Sequence, residues 1–253
     1  LGMDPAELRL GNLVKADSLT ANWLRIRTVG LRQCIEKVVE ASGWKDKHRK
    51  LPFGRGVGLA CGCYLTGAGL PIYWNNMPQS GVQLKLDRSG LVTIFCGSTD
   101  IGQGSDSILA YIVAEVLGIE PDATRVLTAD TDLTPVDLGS YSSRVTLMTG
   151  NAAIEAAERA REILFESVSA KLEVPSDRLV AAGGRIFDSA DPEVHVEFAR
   201  AVQLAEARHG MIGTIGSYKP PASDARFKGG GVGPSPTYSY SSAVIEVEVD
   251  PET

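Results

Sequence analysis

Residues 82–118 place the tightest constraint on what this chain can fold into. Val82, Leu84 and Leu86 alternate with Gln83, Lys85 and Asp87; Asp87-Arg88-Ser89-Gly90 supplies turn residues; Val92, Ile94 and Cys96 resume the alternation. Period-two patterning on both sides of a turn predicts a hairpin with one buried face. The glycine- and hydroxyl-rich run Gly97-Ser98-Thr99-Asp100-Ile101-Gly102-Gln103-Gly104 follows. Ser105 to Leu117 then carries Ile108, Leu109, Ile112, Val113, Val116 and Leu117 at helical spacing, and Gly118 stops it. A hairpin feeding a glycine loop and an apolar-faced helix has to bury the helix against the sheet, which is a layered α+β arrangement.

The remaining pattern extends that frame. Asp4 and Pro5 read as the N-cap and first residue of a helix. A second helix is predicted over Leu31–Ala41, and Trp44–Lys50 reads as a polar loop. Val57–Leu65 reads as a strand, as does Ala123–Ala129. A loop is predicted over 130–150 and a long helix over about 151–171, whose first turns carry Ala152, Ala153, Ala156 and Ala157. Short strands or turns follow over Leu179–Phe187, a helix over Phe198–His209, a flexible loop around Gly229–Gly231 and Pro234–Pro236, and a last strand over Ser242–Val249. The fold class is α+β with mixed sheets and flanking helices. Three segments are expected: a helical lead-in over 1–50, a subdomain with both glycine- and serine-rich loops over 51–175, and a second subdomain over 176–253. The alternating run ending in Asp250-Pro251-Glu252-Thr253 suggests a hairpin cut before its second strand, so the chain is expected to be an internal piece of a larger protein.

Composition excludes several classes. The 253 residues are 43% hydrophobic, enough for a sizeable core. A net charge of −6 and a pI near 5.2 argue against a nucleic-acid binder. The uncharged stretch from Gly56 to Lys85 is broken by glycine, proline and asparagine, so it is not one apolar membrane helix. Cys34, Cys61, Cys63 and Cys96 form no C-x-x-C pair and lack zinc or iron–sulfur spacing. Cys61 and Cys63 alternate on a strand and read as buried thiols, in keeping with a cytoplasmic location.

Two loops carry candidate chemistry. Gly102 and Gly104 would let a ligand approach the backbone, Gln103 offers a donor and an acceptor, and Ser105 sits where free helix amides favour an anion. A plain turn with a helix cap explains the same residues. Neither G-x-G-x-x-G nor a Walker lysine is present. In the second loop, Ser140, Ser142 and Ser143 supply backbone and hydroxyl donors, and Arg144 supplies a charge suited to a phosphate oxygen. Asp130, Asp132 and Asp137 lack EF-hand spacing and read as turn-forming or capping carboxylates rather than metal ligands. Lys45, Lys47, His48, Arg49 and Lys50 read as a solvated basic loop, Tyr73, Trp74, Tyr238 and Tyr240 as packing residues, and His195 and His209 carry no assigned chemistry.

With both loops in view, a family resemblance appears. Gly-Ser-Thr-Asp-Ile-Gly-Gln-Gly-Ser-Asp-Ser resembles the G-Q-G signature of the xanthine oxidase and aldehyde oxidase family. Asp-Thr-Asp-Leu-Thr-Pro-Val-Asp with Ser-Ser-Arg-Val-Thr and Gly150-Asn151-Ala152 resembles its second cofactor loop. The opening Asp-Pro-Ala-Glu-Leu-Arg-Leu-Gly-Asn and closing Ile-Glu-Val-Glu-Val-Asp-Pro-Glu-Thr match in family order. Gly62–Pro78 and Phe95–Asp100 resemble the 4-hydroxybenzoyl-CoA reductase branch, which removes a phenolic hydroxyl from an aromatic acyl-CoA.

The resemblance implies that Gly102, Gln103, Gly104, Ser105, Ser140, Ser142, Ser143 and Arg144 bind a molybdopterin cytosine dinucleotide carrying molybdenum, with the metal held by the cofactor rather than by protein ligands. It implies an iron–sulfur subunit and a FAD subunit as partners, and an aromatic acyl-CoA as substrate. The family's catalytic glutamate has no counterpart here, because Glu246, Glu248 and Glu252 lack its glycine context. No catalytic residue is therefore assigned, and the piece alone is expected to be inactive. A molybdenum hydroxylase acting on an aldehyde or N-heterocycle is the nearest alternative. A non-catalytic interaction module on the same scaffold is the alternative of another class.

Overall fold

The computed structural model describes residues 2–67, 77–220, 235, 237–250 and 252. Two compact units emerge, residues 75–221 and residues 1–74 together with 222–253. These units do not coincide with the expected segments 1–50, 51–175 and 176–253. The expected boundaries follow chain order, whereas the units are set by strands that pair across long separations.

In the unit of 1–74 and 222–253, helices α1 (Pro5–Gly11), α2 (Leu31–Ser42) and α3 (Trp44–Lys47) accompany a two-residue ladder of β1 (Ser18–Leu19) and β2 (Arg25–Ile26). The main ribbon is β3 (Arg55–Thr66) paired antiparallel with β11 (Thr237–Glu248) along its whole length. Asp4 caps α1 through its carboxylate, which accepts from the amides of Ala6 and Glu7, and the same carboxylate accepts from the Trp44 indole at 2.9 Å. That bond explains why the segment expected as a polar loop opens as a helical turn: Trp44 is buried and joins Ala6 and Ile35 in a small core. β11 begins five residues before the expected Ser242, because its early alternation of hydroxyls and tyrosines lacks an apolar signature. Its partner β3 supplies the register instead. The expected loop around 229–236 lies outside the described residues except for Ser235.

Residues 75–221 form a layered unit. Its sheet runs β10–β4–β5–β6, from β4 (Ser80–Leu86), β5 (Val92–Cys96), β6 (Thr124–Thr128) and β10 (Gly213–Tyr218). β4 and β5 are the expected hairpin, and β5 pairs parallel with β6 across helix α4 (Ser105–Leu117). Helix α5 (Val145–Leu172) and helix α6 (Phe198–His209) complete the layer, with a three-stranded sheet of β7 (Leu179–Ala182), β8 (Arg185–Asp188) and β9 (Asp191–Glu197). Helix α5 starts six residues earlier than the apolar periodicity suggests. Its first two turns contain Thr146 and Thr149, and it takes up helical geometry immediately after Arg144.

The small face of α5 has a backbone cause. Ala152, Ala153, Ala156, Ala157 and Ala160 are all fully buried, and Thr214 Oγ1 on β10 donates to the Ala156 carbonyl at 2.8 Å. A Cβ on Gly216 would lie 2.1 Å from Ala152 O and 2.5 Å from Ala156 N, so strand and helix pack main chain to main chain. This contact fixes the start of α5, and hence the second loop, against the sheet. Gly216→Val should cost about 1–3 kcal/mol of stability and lower Tm by roughly 3–10 °C in thermal unfolding. Wild-type melting would show that the strand can move away.

Candidate functional site

The first loop leaves the C-terminal end of β5 and enters α4. Several of its amides are taken up by side chains of the loop itself. Asp100 Oδ1 accepts from Gly102 N at 2.7 Å and Gly104 N at 3.4 Å, and Oδ2 accepts from Asp106 N at 3.3 Å. The carboxylate thus caps α4, and these backbone bonds, that of Gly102 foremost, hold its pKa below the usual carboxylate range. Gln103 also folds inward: its Oε1 accepts from Ile101 N at 2.6 Å, and its Nε2 donates to Thr99 O and Ser105 Oγ, both at 3.1 Å. Gln103 thus spends its donor and acceptor inside the loop, and at the helix start Asp100 takes up the amide of Asp106 while that of Ser107 meets no acceptor among the described residues. What the loop does present is bare backbone. Gly102 and Gly104 sit at φ +98° and +77°, and a Cβ at either would meet nothing within 4 Å.

The second loop is built on a buried ion pair. Arg144 and Asp137 side chains are 1% and 0% exposed, with Arg144 Nη1 donating to Asp137 Oδ1 at 2.6 Å. Nη1 also donates to Gly139 O at 2.7 Å, while Nη2 donates to Gln79 O at 2.8 Å and Ser80 Oγ at 3.0 Å. Asp137 is equally committed: Oδ1 accepts from Gly139 N at 2.8 Å, and Oδ2 accepts from Ser80 Oγ at 2.6 Å and Thr149 Oγ1 at 3.1 Å. Arg144 therefore does not face outward toward a phosphate, as its charge suggests; it is an internal brace. Asp130 has the expected turn role, accepting from Asp132 N at 3.0 Å and Leu133 N at 3.1 Å.

Ser142 and Ser143 both adopt the left-handed region, at φ +48° and +51°. Two consecutive non-glycine residues there are costly and persist only where neighbours hold them. Among the described residues, the amides of Ser142, Ser143, Val145, Thr146 and Leu147 meet no hydrogen-bond acceptor. A turn and a 28-residue helix start thus leave adjacent N–H groups unpaired, where the helix dipole adds positive potential.

The loops meet at Thr99. Ser140 Oγ accepts from Thr99 N at 3.0 Å and donates to Thr99 O at 2.6 Å. That carbonyl is the one to which Gln103 Nε2 also donates. A second seam lies two residues back, where a Cβ on Gly97 would fall 2.3 Å from Pro135 O, so only glycine allows the loops to touch there. Beneath the seam, burial raises the pKa of Asp106, with Asp100 adding to it, and its Oδ1 is buried without a partner. Burial pushes the Cys96 thiol up to about 11.

Sequence reasoning missed Asp100, Gln79, Ser80 and Thr149, and saw only the turn role of Asp137, because capping and buried bracing depend on which strand end lies beside the loop. Asp100, two residues before Gly102, and Asp137, two residues before Gly139, had a local signal as Asx turns. The other candidates do not join the site. Cys61 is half-buried against the small core of Ala6, Ile35 and Trp44 and Cys63 is exposed, which corrects their reading as buried thiols. Glu246 binds Lys47 and Arg55, both at 2.7 Å, and Lys47 leaves the basic run for that pair. Among the described residues no cluster of His, Cys, Asp or Glu is placed to hold a metal ion, and no helix is long and apolar enough to cross a membrane. Tyr73 and Trp74 lie outside the described residues.

Two strand–loop–helix corners thus share a seam, with bare glycines on one and open amides on the other. Comparison with known proteins identifies the domain. Residues 35–253 match the molybdopterin cofactor-binding domain, and the chain belongs to that family. It is 32% identical over 200 residues to the xanthine dehydrogenase molybdenum-binding subunit of Escherichia coli O157:H7, covering 76% of this chain and 26% of that protein. It is 31% identical over 218 residues to the 6-hydroxypseudooxynicotine dehydrogenase complex subunit gamma of Paenarthrobacter nicotinovorans, covering 84% of this chain and 25% of that protein. The chain thus spans about a quarter of the length of these relatives. The reconstituted CO dehydrogenase from Oligotropha carboxidovorans shares the fold at a TM-score of 0.76 and 19% identity, covering 97% of this chain and 32% of that one.

Two outcomes follow from the geometry. Ser140→Ala removes the hydroxyl that pairs both main-chain groups of Thr99 and should cost about 1 kcal/mol in urea unfolding, with faster protease cleavage within 130–143. Unchanged cleavage would mean that the seam does not hold the loop. In alkylation at pH 8, Cys63 should be labelled in the folded protein and Cys96 only after unfolding, because its burial disfavours the thiolate.

Proposed function

We propose that this chain is the cofactor-holding part of the large subunit of a molybdenum hydroxylase of the xanthine dehydrogenase and aldehyde oxidase type, the whole protein acting on an aldehyde or N-heterocycle. The observation that carries the reading is the cluster of unpaired amides at Ser142, Ser143 and Val145–Leu147, joined through Thr99 and Ser140 to the bare glycines 102 and 104. Such an array suits a phosphorylated, planar cofactor, read through backbone rather than through Gln103 and Arg144 side chains. The cofactor proposed is a molybdopterin dinucleotide in its cytosine form, with its phosphates at the serine loop and its pterin end at the glycines. When bound, its molybdenum supplies the oxygen-atom and two-electron chemistry.

The residues of this chain bind and orient. Asp100 keeps Gly102 and Gly104 in their positive-φ turn, Ser140 keeps the loops together, and Asp137 with Arg144 keeps the serine turn formed. Electrons must leave the metal centre, so an iron–sulfur subunit and a FAD subunit are the proposed partners. The catalytic base is proposed to come from the part of the whole protein that this chain does not span. The acyl-CoA reductase reading rests on the residue runs Gly62–Pro78 and Phe95–Asp100, and residues 68–76 of the first lie outside the described residues.

The test is the full-length protein in its complex. Near-stoichiometric molybdenum and pterin are expected, with turnover of an aldehyde or N-heterocycle and no reduction of 4-hydroxybenzoyl-CoA. Reduction of the acyl-CoA in place of that turnover would transfer the assignment to the reductase branch. Absence of both metal and pterin would favour an interaction module.

A further inference from the structure

We infer that Asp137 and Arg144 are positioning residues that hold the serine turn in its ligand-ready form, and that Arg144 is not itself a phosphate ligand. The inference rests on the cofactor reading above and goes further by assigning the loop's only buried charges to a different task.

The geometry leaves Arg144 no spare reach. Nη1 and Nη2 are engaged with four acceptors, two of them carbonyls of the chain, and the side chain is 1% exposed. Turning it outward would break all four bonds and strand the Asp137 carboxylate in the interior, the most costly way to open a buried pair. Its placement explains what it does instead. Asp137 and Gly139 lie before the serine turn, and Arg144 lies directly after it, so the pair closes a ring around residues 138–143. Asp137 Oδ1 binds both the Arg144 guanidinium and the Gly139 amide, fixing the two ends at one oxygen. Ser80 and Thr149 then tie that carboxylate to β4 and to the second turn of α5. Within this ring Ser142 and Ser143 take φ values that serine otherwise avoids, and that conformation turns consecutive amides out of the chain's own hydrogen bonding. Without the ring, the turn is free to relax to negative φ and the amide array disperses.

The two roles make opposite predictions for one substitution. If Arg144 contacted a phosphate, Asp137→Asn would remove a competing carboxylate and the cofactor would be held as well or better. If the pair is a brace, Asp137→Asn loosens the turn and the cofactor leaves faster. The experiment uses the full-length complex loaded with its cofactor, following release of pterin and molybdenum as a function of salt, with circular dichroism confirming a folded chain. Asp137→Asn and Arg144→Met are both expected to release the cofactor about tenfold faster. The slope of release against salt should be unchanged, because the amides still make the anion contact. Adding Ser142→Gly with Ser143→Gly should recover part of the loss, since glycine occupies the left-handed region without strain. Ser80→Ala keeps both charges and should accelerate release by about threefold even if the charge variants fail to fold.

Wild-type or slower release in Asp137→Asn, wild-type release in Ser80→Ala, or a flattened salt slope in Arg144→Met would each overturn the inference. Wild-type protein that carries neither molybdenum nor pterin would instead overturn the cofactor reading itself.

Discussion

The carbonyl of Thr99 is the point on which the site depends. It accepts from Ser140 of one loop and from Gln103 of the other, so two segments some forty residues apart in sequence are bound to the same oxygen. A carbonyl has two lone pairs, and here both loops draw on them. The consequence is mechanical: neither loop can shift without disturbing the other. The close approach of Gly97 to Pro135 reinforces the seam, and the main-chain contact of Gly216 with α5 fixes where the second loop begins.

The side chains that look most chemical are spent on bonds within their own loops, and backbone is left open to a ligand. Gln103 and Arg144 are the residues a reader would select for polarity and charge, and each completes the internal hydrogen bonding of its own loop. Asp100 does likewise at the start of α4, where its carboxylate takes the place that a bound anion would otherwise occupy. The start of α5 has no such carboxylate, because Asp137 is drawn inside by Arg144. Two loops of similar outline therefore differ at the helix start they feed: a carboxylate accepts from the amides at one and is drawn away from the other. This asymmetry is the physical basis for placing an anionic group at the serine loop.

Much of this was legible in the residues. The hairpin over 82–96, helix α4, helix α6 and the Asp4 cap follow from periodicity and capping rules, and the structure reproduces them, with the first strand starting two residues earlier. The two loops also stand out as glycine- and serine-rich breaks between patterned segments. What stayed hidden depends on tertiary neighbours. Strand β11 alternates hydroxyls with tyrosines and becomes a strand through β3, and the start of α5 is masked by threonines. Trp44 reads as part of a polar loop until Asp4 is seen to accept its indole N–H. The partners of Arg144 come from Gln79 and Ser80, more than sixty positions away, and no local pattern connects them.

The account stands on the two loops acting as one cradle, and amide hydrogen exchange on the full-length protein with and without its cofactor tests that most directly. Slower exchange is expected in both 99–106 and 139–148 when the cofactor is present, including the amides that are unpaired in the free chain. Protection confined to one of the two segments, or absent from both, would contradict a shared site.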